Sequence, residues 1–301
     1  MILVVGATGL VGGMIARRLL ERGDTVRVLV RPGSNYQPLA DAGAQPVVGD
    51  LKDPGSLGPA CAGVETVITT ATSGSRGGAD NPQTVDEEGN RHLIDAARAA
   101  GVRQFIFVSA LSADEDSPIA LSRAKAHTES YLRGSGMPYT ILAPNGILEV
   151  NLGLVVGSPL RAGQPVTLIG EGRRRHSLVA ASDVAAFAAA AVGHPLALNR
   201  RIVIGGPEAV SWRDVIATYE RVLGRPVPVE WKAPGELLPN LPPVPGLAEL
   251  VSGILAALET FDSPVDMTET ARTFGEQLTS LEDVVRRETA SIAAETANVR
   301  A

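Results

Sequence analysis

The sequence of 301 residues is 45% hydrophobic and carries a formal net charge of −6, so it can form one large α/β domain or a main domain with a smaller attached one. The negative charge and the lack of a basic run disfavour nucleic acid and an anionic membrane surface as partners. Cys61 is the single cysteine, which excludes a disulfide within the chain and is typical of a reducing compartment.

The chain is also expected to lack targeting and membrane segments. An apolar run begins already at Ile2, which leaves no room for a signal peptide. No apolar run reaches the ~18 residues that a membrane helix requires. We therefore expect a cytoplasmic protein that acts on a small molecule, and the sequence leaves its oligomeric state open.

The first 145 residues alternate short apolar runs with helix-like segments. Strands are predicted at residues 2–5, 25–30, 45–48, 66–70, 104–108 and 139–142. Helices are predicted at residues 9–21, 39–42, 53–61, 86–100 and 120–133, and the glycine-containing residues 73–81 are predicted to form a loop. This alternation predicts a doubly wound parallel sheet of the Rossmann type, with right-handed crossovers.

The rhythm of the pattern changes after Pro144. Helices are predicted at residues 182–192 and 211–223, strands at 201–204 and 227–231, and an irregular proline-rich connector at 234–246. We interpret residues 1–145 as a dinucleotide-binding domain. Residues 146–301 are interpreted as a smaller C-terminal α/β lobe that packs on the carboxyl edge of the sheet and sets the substrate pocket.

A glycine-rich turn joins the first strand to the first helix. It reads Gly6-Ala7-Thr8-Gly9-Leu10-Val11-Gly12. Gly6 permits the tight turn, Gly9 lets the backbone approach a pyrophosphate, and Gly12 lets the helix pack close to the strand. The amide groups at the helix N-terminus attract phosphate, so we expect Gly6, Thr8, Gly9, Leu10, Val11 and Gly12 to contact a dinucleotide. The alternative is a strand-to-helix turn without a ligand.

The residue after the second strand indicates which dinucleotide is bound. NAD-binding folds usually have Asp or Glu there, to accept a hydrogen bond from the ribose 2′-hydroxyl. Here the residue is Arg31, whose cation attracts a 2′-phosphate and therefore favours NADP(H). A solvated surface arginine is the alternative.

Two further strand ends are expected to contact the cofactor. Asp50 and Leu51 follow the third strand, where the carboxylate could accept from the adenine amino group; a helix cap is the alternative for Asp50. Small side chains follow the fourth strand, and they let a nucleotide approach: Thr70, Ala71 and Thr72.

Two candidate catalytic positions come later in the chain. Ser109 ends the fifth strand, on the side expected for the nicotinamide, and Lys125 lies on the next helix. A strand-end hydroxyl and a surface lysine are the respective alternatives. The four histidines show no metal-ligand spacing, so no metal is expected.

Several of these motifs together resemble the NmrA-like group of atypical short-chain dehydrogenases, which includes a bacterial NADPH-dependent quinone reductase and plant phenylpropanoid reductases. The resemblance is carried by the glycine-rich start, Arg31, Asp50, Ser109, the segments 125–145 and 170–172, and Ala181-Ser182-Asp183-Val184-Ala185. It implies a Rossmann-type fold and NADP(H). It also implies that Lys125 contacts the nicotinamide ribose and that Pro144 and Asn145 line the cofactor site.

One position departs from the short-chain dehydrogenase pattern. These enzymes use a Tyr-x-x-x-Lys pair, in which the tyrosine transfers the proton. Lys125 is present, but Leu121 occupies the tyrosine position, and leucine cannot donate a proton. Two readings follow: a reductase of a small, quinone-like electrophile, with Lys125 or water supplying the proton, or a non-catalytic NADP(H)-binding redox sensor. An isomerase or lyase with a tightly held nucleotide is a third, weaker reading.

Overall fold

The computed structural model describes residues 1–74, 77–239 and 241–300. The strands are β1 (Ile2–Val5), β2 (Val26–Val30), β3 (Gln45–Val48), β4 (Thr66–Thr69), β5 (Gln104–Val108), β6 (Tyr139–Pro144), β7 (Val166–Ile169), β8 (Arg200–Ile204) and β9 (Val229–Lys232). The helices are α1 (Leu10–Glu21), α2 (Gln37–Asp41), α3 (Pro54–Cys61), α4 (Asn90–Ala99), α5 (Ala120–Gly134), α6 (Leu148–Leu152), α7 (Ser158–Arg161), α8 (Ala181–Ala190), α9 (Trp212–Leu223), α10 (Leu247–Leu258), α11 (Thr268–Phe274) and α12 (Leu281–Arg300).

The chain forms two compact units that interleave along the sequence. The first contains Met1–Pro144, Ala181–Ile204 and Arg272–Glu276, and the second contains Asn145–Ala180, Gly205–Ala271 and Gln277–Ala301. No helix in the described part of the chain is both long enough and apolar enough to cross a membrane.

The first unit is built on a parallel sheet with the strand order β3-β2-β1-β4-β5-β6-β8 over the described residues. β1 lies between β2 and β4, with Val4 opposite Val28 on one side and Ile68 on the other. The order reverses there, and ligands of open α/β sheets bind at the carboxyl ends of the strands beside such a reversal. The predicted Rossmann-type α/β fold is confirmed.

Local sequence explains the first strand and helix. All four residues of β1 are apolar and buried, as a strand covered on both faces requires. α1 buries Ile15, Ala16 and Leu19 and packs against α8. It ends before Gly23, whose φ of +88° is a conformation that favours glycine.

The position of β8 corrects the predicted domain boundary at residue 145. This strand pairs in parallel with β6, with Thr140 opposite Arg200 and Pro144 opposite Ile204. α8 supplies the crossover helix, so Ala181–Ile204 belongs to the first unit. The prediction from the sequence assigned these residues to the smaller lobe. Pairing between strands about sixty residues apart leaves no local pattern in the sequence that could have indicated it.

Two other differences concern element boundaries. The helix predicted at residues 86–100 is a π-helical segment, Pro82–Gly89, that leads into α4. Asn81 caps this segment by accepting from the amide of Thr84 at 3.0 Å. The predicted loop at residues 73–81 has no regular helix or strand where it is described, and residues 75 and 76 lie outside the described residues.

The second unit has its own sheet and core. β7 pairs in parallel with β9, with Val166 opposite Val229. α9 begins at Trp212 behind the predicted capping box, in which Ser211 accepts from the amide of Asp214. α12 packs against α9 and α6. The apolar core of this unit includes Leu152, Val156, Leu168, Tyr219 and Val285.

A buried carboxylate joins three elements of the first unit. Glu129 on α5 is 3% exposed. It accepts hydrogen bonds from Ser109 Oγ at 2.6 Å, Arg133 Nη2 at 2.7 Å and Arg201 Nε at 3.0 Å. Arg201 lies on β8 and also donates to the carbonyl of Ala110 at 2.9 Å. Glu129 therefore holds β8 beside α5 and the end of β5.

We expect Glu129→Ala to destabilise the chain by about 3–5 kcal/mol, because removing the carboxylate leaves a partly buried arginine without its partner. Glu65→Ala is the control, since the Glu65 side chain forms an exposed pair with Arg103 at 3.6 Å, worth about 0–1 kcal/mol. Chemical denaturation measures both values. Equal losses would contradict the role given to Glu129.

Candidate functional site

An open cleft lies at the carboxyl ends of β1, β2 and β3 and beside the end of β4. Six predicted cofactor-contacting residues line it: Gly6, Thr8, Arg31, Asp50, Leu51 and Ala71. Its other lining residues are Val5, Leu29, Ser34, Gly49, Asp80 and Val85. The cleft therefore occupies the position at which Rossmann sheets bind nucleotides.

The turn between β1 and α1 has the geometry of a phosphate cradle. Gly6 has a φ of +84°, and its carbonyl accepts from the amide of Gly9 at 3.0 Å. A Cβ atom at Gly12 would lie 2.2 Å from the Gly6 oxygen, so only glycine allows the helix to approach this closely. Thr70, at the end of β4, lies against the same turn, with Oγ1 3.4 Å from the carbonyl oxygen of Val5.

The N-terminus of α1 is left open to an anion. Gly9 is the N-cap residue and has no side chain to cap the helix, and the first turn contains no acidic residue. Leu10, Val11 and Gly12 form that first turn, whose amides have no partner within the helix. Together with the close approach at Gly12, these free amides fit the pyrophosphate of a dinucleotide.

Arg31 and Asp80 both line the cleft, and Asp80 pairs with two cations. Arg31 Nη1 lies 2.7 Å from Asp80 Oδ2, and Lys52 Nζ contacts Asp80 Oδ1. The hydrogen bond from Lys52, followed by the charges of Lys52 and Arg31, holds the pKa of Asp80 below its ordinary value. Arg31 thus lies in the cleft as predicted, but an ionised carboxylate already balances part of its charge.

Asp50 turns its carboxylate toward its own loop. Its Oδ1 accepts from the amide of Lys52 at 2.9 Å. The cap of α3 is Asp53, which accepts from the amide of Gly55 at 3.2 Å. The helix-cap alternative for Asp50 is therefore wrong. Its contact with adenine stays a prediction.

Lys125 forms a buried pair with Asp86. Its Nζ donates to the carbonyl of Val108 at 3.3 Å and lies 3.7 Å from Asp86 Oδ1. Burial lowers the pKa of Lys125, and the charge of Asp86 opposes this shift. Asp86 Oδ2 accepts from the amide and hydroxyl of Ser73, whereas its Oδ1 has no hydrogen-bond partner among the described residues. The surface-lysine alternative for Lys125 is wrong.

Ser109 is engaged by Glu129. Its hydroxyl is 4% exposed and donates to Glu129 Oε1 rather than to a backbone group. The observed contact is structural, and a catalytic role for Ser109 stays a prediction. Leu121 lies on α5, one helical turn before Lys125.

Asn145 begins the second unit and bonds within it. Its Nδ2 donates to the carbonyl of Ser263 at 2.7 Å. His176 Nδ1 lies 2.7 Å from Ser263 Oγ, and its Nε2 lies 3.0 Å from the carbonyl of Leu258. Burial lowers the pKa of His176. The contacts predicted between the cofactor and Pro144, at the end of β6, or Asn145 stay predictions, as does that of Thr72.

Sequence reasoning missed Lys52, Asp80 and Asp86. Asp80 follows a glycine-rich segment and lies 49 residues from Arg31, so no local pattern connects the two. Lys52 directly follows the predicted Asp50-Leu51 pair, and its charge could have marked it. Asp86 was predicted only as the start of a helix.

Comparison with known proteins assigns the chain to a family. The model of the NAD(P)H-binding family matches residues 6–195. The chain belongs to this family. The family model confirms that the chain binds a nicotinamide dinucleotide and that it is related to the NAD(P)-binding reductases that its motifs resemble.

An NAD(P)H azoreductase of Xenophilus azovorans is 32% identical over 228 residues, 75% of each chain. The photosystem II assembly factor Ycf39 of Cyanophora paradoxa is 35% identical over 224 residues, 74% of this chain and 69% of that relative.

Solved structures show the same fold. The triphenylmethane reductase of Citrobacter sp. in complex with NADP(H) superimposes with a TM-score of 0.78 at 22% identity, over 96% of this chain and 100% of that chain. The Escherichia coli quinone oxidoreductase QOR2 in complex with NADPH has a TM-score of 0.76 at 23% identity, over 95% and 99% of the two chains. At these identities the similarity concerns the fold alone.

Two glycine variants separate folding from cofactor binding. In Gly9→Ala the added Cβ lies 3.3 Å from the Gly6 oxygen, so we expect a folded chain whose NAD(P)H affinity falls roughly tenfold or more, because the methyl group stands where the pyrophosphate approaches the backbone. In Gly12→Ala the Cβ clashes with the main chain, and we expect a stability loss of about 1–3 kcal/mol.

Calorimetric titration with NADPH and thermal unfolding measure the two effects. Gly134→Ala is the control, because a Cβ there meets open space. Unchanged NADPH binding by Gly9→Ala would contradict the cradle.

Proposed function

We propose that the chain is an NADPH-dependent reductase that transfers hydride to a small electrophile of the quinone or azo class. The observation that carries this proposal is the cleft itself, which is lined by Gly6 and Thr8 of the turn that leads into α1 and by Arg31. Asp80 also lines the cleft, and Lys52 pairs with it. Amides and cations in this arrangement suit a pyrophosphate and a 2′-phosphate, respectively.

The comparisons support the choice of acceptor. The azoreductase relative covers three quarters of this chain, and the fold is shared with proteins named quinone oxidoreductase and triphenylmethane reductase. Quinones and azo compounds accept hydride without strong general-acid help. A chain with leucine at position 121 can therefore reduce them where it could not reduce a simple ketone.

Different residues of the chain bind the cofactor and supply the proton. A bound NADPH supplies the hydride. The first-turn amides of α1 hold the pyrophosphate, and Arg31 and Lys52 bind the 2′-phosphate. We assign the ribose contact and the proton to Lys125, whose buried ammonium is balanced by Asp86 at 3.7 Å. Its lowered pKa makes it a better acid than an ordinary lysine.

A second candidate function is a non-catalytic NADP(H)-binding partner protein. Three observations favour it: Leu121 replaces the proton-donating tyrosine, the Ser109 hydroxyl is bound to Glu129, and one relative is named as an assembly factor. Such a protein binds the dinucleotide tightly without turning it over.

Oxidation of NADPH distinguishes the two functions. We expect the absorbance of reduced nicotinamide to fall when the chain is mixed with NADPH and a panel of quinones and azo dyes. Lys125→Met is expected to lower kcat by about 10²-fold, the lower end of a general acid's usual contribution, because these acceptors need little help with protonation. The wild-type rate is expected to fall as the pH rises through the lowered pKa of Lys125, because the ammonium is then lost.

Lys232→Met is the matched control, since the Lys232 side chain forms a surface pair with Glu236. Tight NADPH binding with no acceptor reduced would exclude the reductase and favour the partner protein.

Arg31 tests the choice between the two dinucleotides. We expect Arg31→Ala to weaken NADPH binding by about 10–100-fold, the loss of one charge-assisted contact of about 1.5–3 kcal/mol, and to leave NADH binding nearly unchanged. Titration calorimetry gives both dissociation constants. Arg103→Ala, at an exposed arginine just before β5, should alter neither. An equal loss for NADPH and NADH would refute the 2′-phosphate role of Arg31.

A further inference from the structure

Asp80 occupies an unexpected position for a site that accepts a 2′-phosphate. Asp80 lines the nucleotide cleft, and its side chain is 11% exposed and bonds the cations of both Arg31 and Lys52. These cations hold its pKa below the ordinary value, so the carboxylate is ionised at neutral pH. A fixed negative charge therefore lies beside the groups that would bind a phosphate.

The backbone around Asp80 holds this carboxylate in place. The amide of Asp80 donates to the carbonyl of Gly77 at 3.3 Å, and Thr84 Oγ1 donates to the carbonyl of Ala79 at 2.8 Å. The next residue, Asn81, caps the π-helical segment. These hydrogen bonds fix the turn that carries Asp80. Arg31 follows β2 and Lys52 follows β3, and both cations contact the Asp80 carboxylate.

A carboxylate at the ribose end of such a cleft has two chemical consequences. It can accept hydrogen bonds from ribose hydroxyl groups, which is how NAD-binding folds recognise the unphosphorylated nucleotide. It also competes with a 2′-phosphate for the same cations and repels it as a like charge. The two cations favour the phosphate, whereas Asp80 opposes it.

We propose that Asp80 is a specificity-determining residue that weakens the preference for NADPH and allows the chain to bind NADH as well. With NADH, the carboxylate keeps Arg31 and Lys52 and accepts from the ribose hydroxyl groups. With NADPH, the 2′-phosphate accepts hydrogen bonds from Arg31 and Lys52 in competition with Asp80, and the negative charge of Asp80 repels it. This inference rests on the proposed function, because it concerns the same dinucleotide site.

Binding of nucleotide fragments tests the inference without any turnover. The probes are adenosine 2′,5′-bisphosphate and adenosine 5′-monophosphate, which differ only in the 2′-phosphate, together with NADPH and NADH. Titration calorimetry gives the ratio of dissociation constants within each pair for the wild type, Asp80→Asn and Asp80→Ser. Because each ratio is taken on one protein, a general loss of folding cancels.

We expect both Asp80 variants to increase the preference for the 2′-phosphorylated probe by about tenfold or more, the size of effect expected when one like charge beside a phosphate is removed. Glu88→Gln is the matched control. It removes one negative charge from the exposed face of the adjoining π-helical segment, where Glu88 bonds Gln83, and should change the ratio less than twofold.

Three results would overturn the inference. An unchanged ratio in the Asp80 variants, with both probes bound by the wild type, would remove Asp80 from cofactor selection and leave the proposed function standing. A reduced preference for the 2′-phosphate would mean that Asp80 positions Arg31 for the phosphate. Failure of the wild type to bind any of the four nucleotides would overturn the proposed function as well.

Discussion

The close approach of α1 to the end of β1 is the constraint on which the site depends. No side chain fits at Gly12, where a Cβ would lie 2.2 Å from the Gly6 oxygen. Gly6 in turn adopts a positive φ that turns the chain from strand to helix. The helix N-terminus is thereby directed at the reversal of strand order between β1 and β4. Because the groups proposed to bind phosphate are backbone amides, they are positioned by the fold rather than by rotamers.

This dependence on backbone explains which features could be predicted from the sequence. The glycine motif, β1 and α1 are specified by neighbouring residues, and the structure reproduces them closely. The position of β8 depends on pairing with β6, about sixty residues earlier, and was therefore assigned to the smaller lobe. The pairing of Arg31 with Asp80 is equally non-local. A motif identifies the cofactor class, but the charge balance around Arg31 needs the folded chain.

Two buried carboxylates near Lys125, Glu129 on α5 and Asp86, differ in how well their oxygens are satisfied. Glu129 accepts from three donors on separate elements, as a purely structural buried charge must. Asp86 has one oxygen without a hydrogen-bond partner among the described residues, at 3.7 Å from a lysine whose pKa is lowered by burial. An incompletely satisfied buried charge is costly, and perturbed pairs of this kind cluster at functional sites. The Lys125–Asp86 pair is therefore the stronger candidate for chemistry, and Ser109, held by Glu129, is the weaker.

The cofactor and the reaction depend on different groups of the chain. Family membership and the α1 cradle both concern the dinucleotide, and the cradle uses main-chain groups that tolerate changes elsewhere in the sequence. In the short-chain dehydrogenases that the sequence resembles, the proton comes from a tyrosine side chain, and Leu121 stands at the corresponding position of this sequence. In the second unit, His176 and Asn145 both contact Ser263. A fold can thus retain its nucleotide while the acceptor changes, because binding depends on backbone geometry and proton transfer depends on a few side chains.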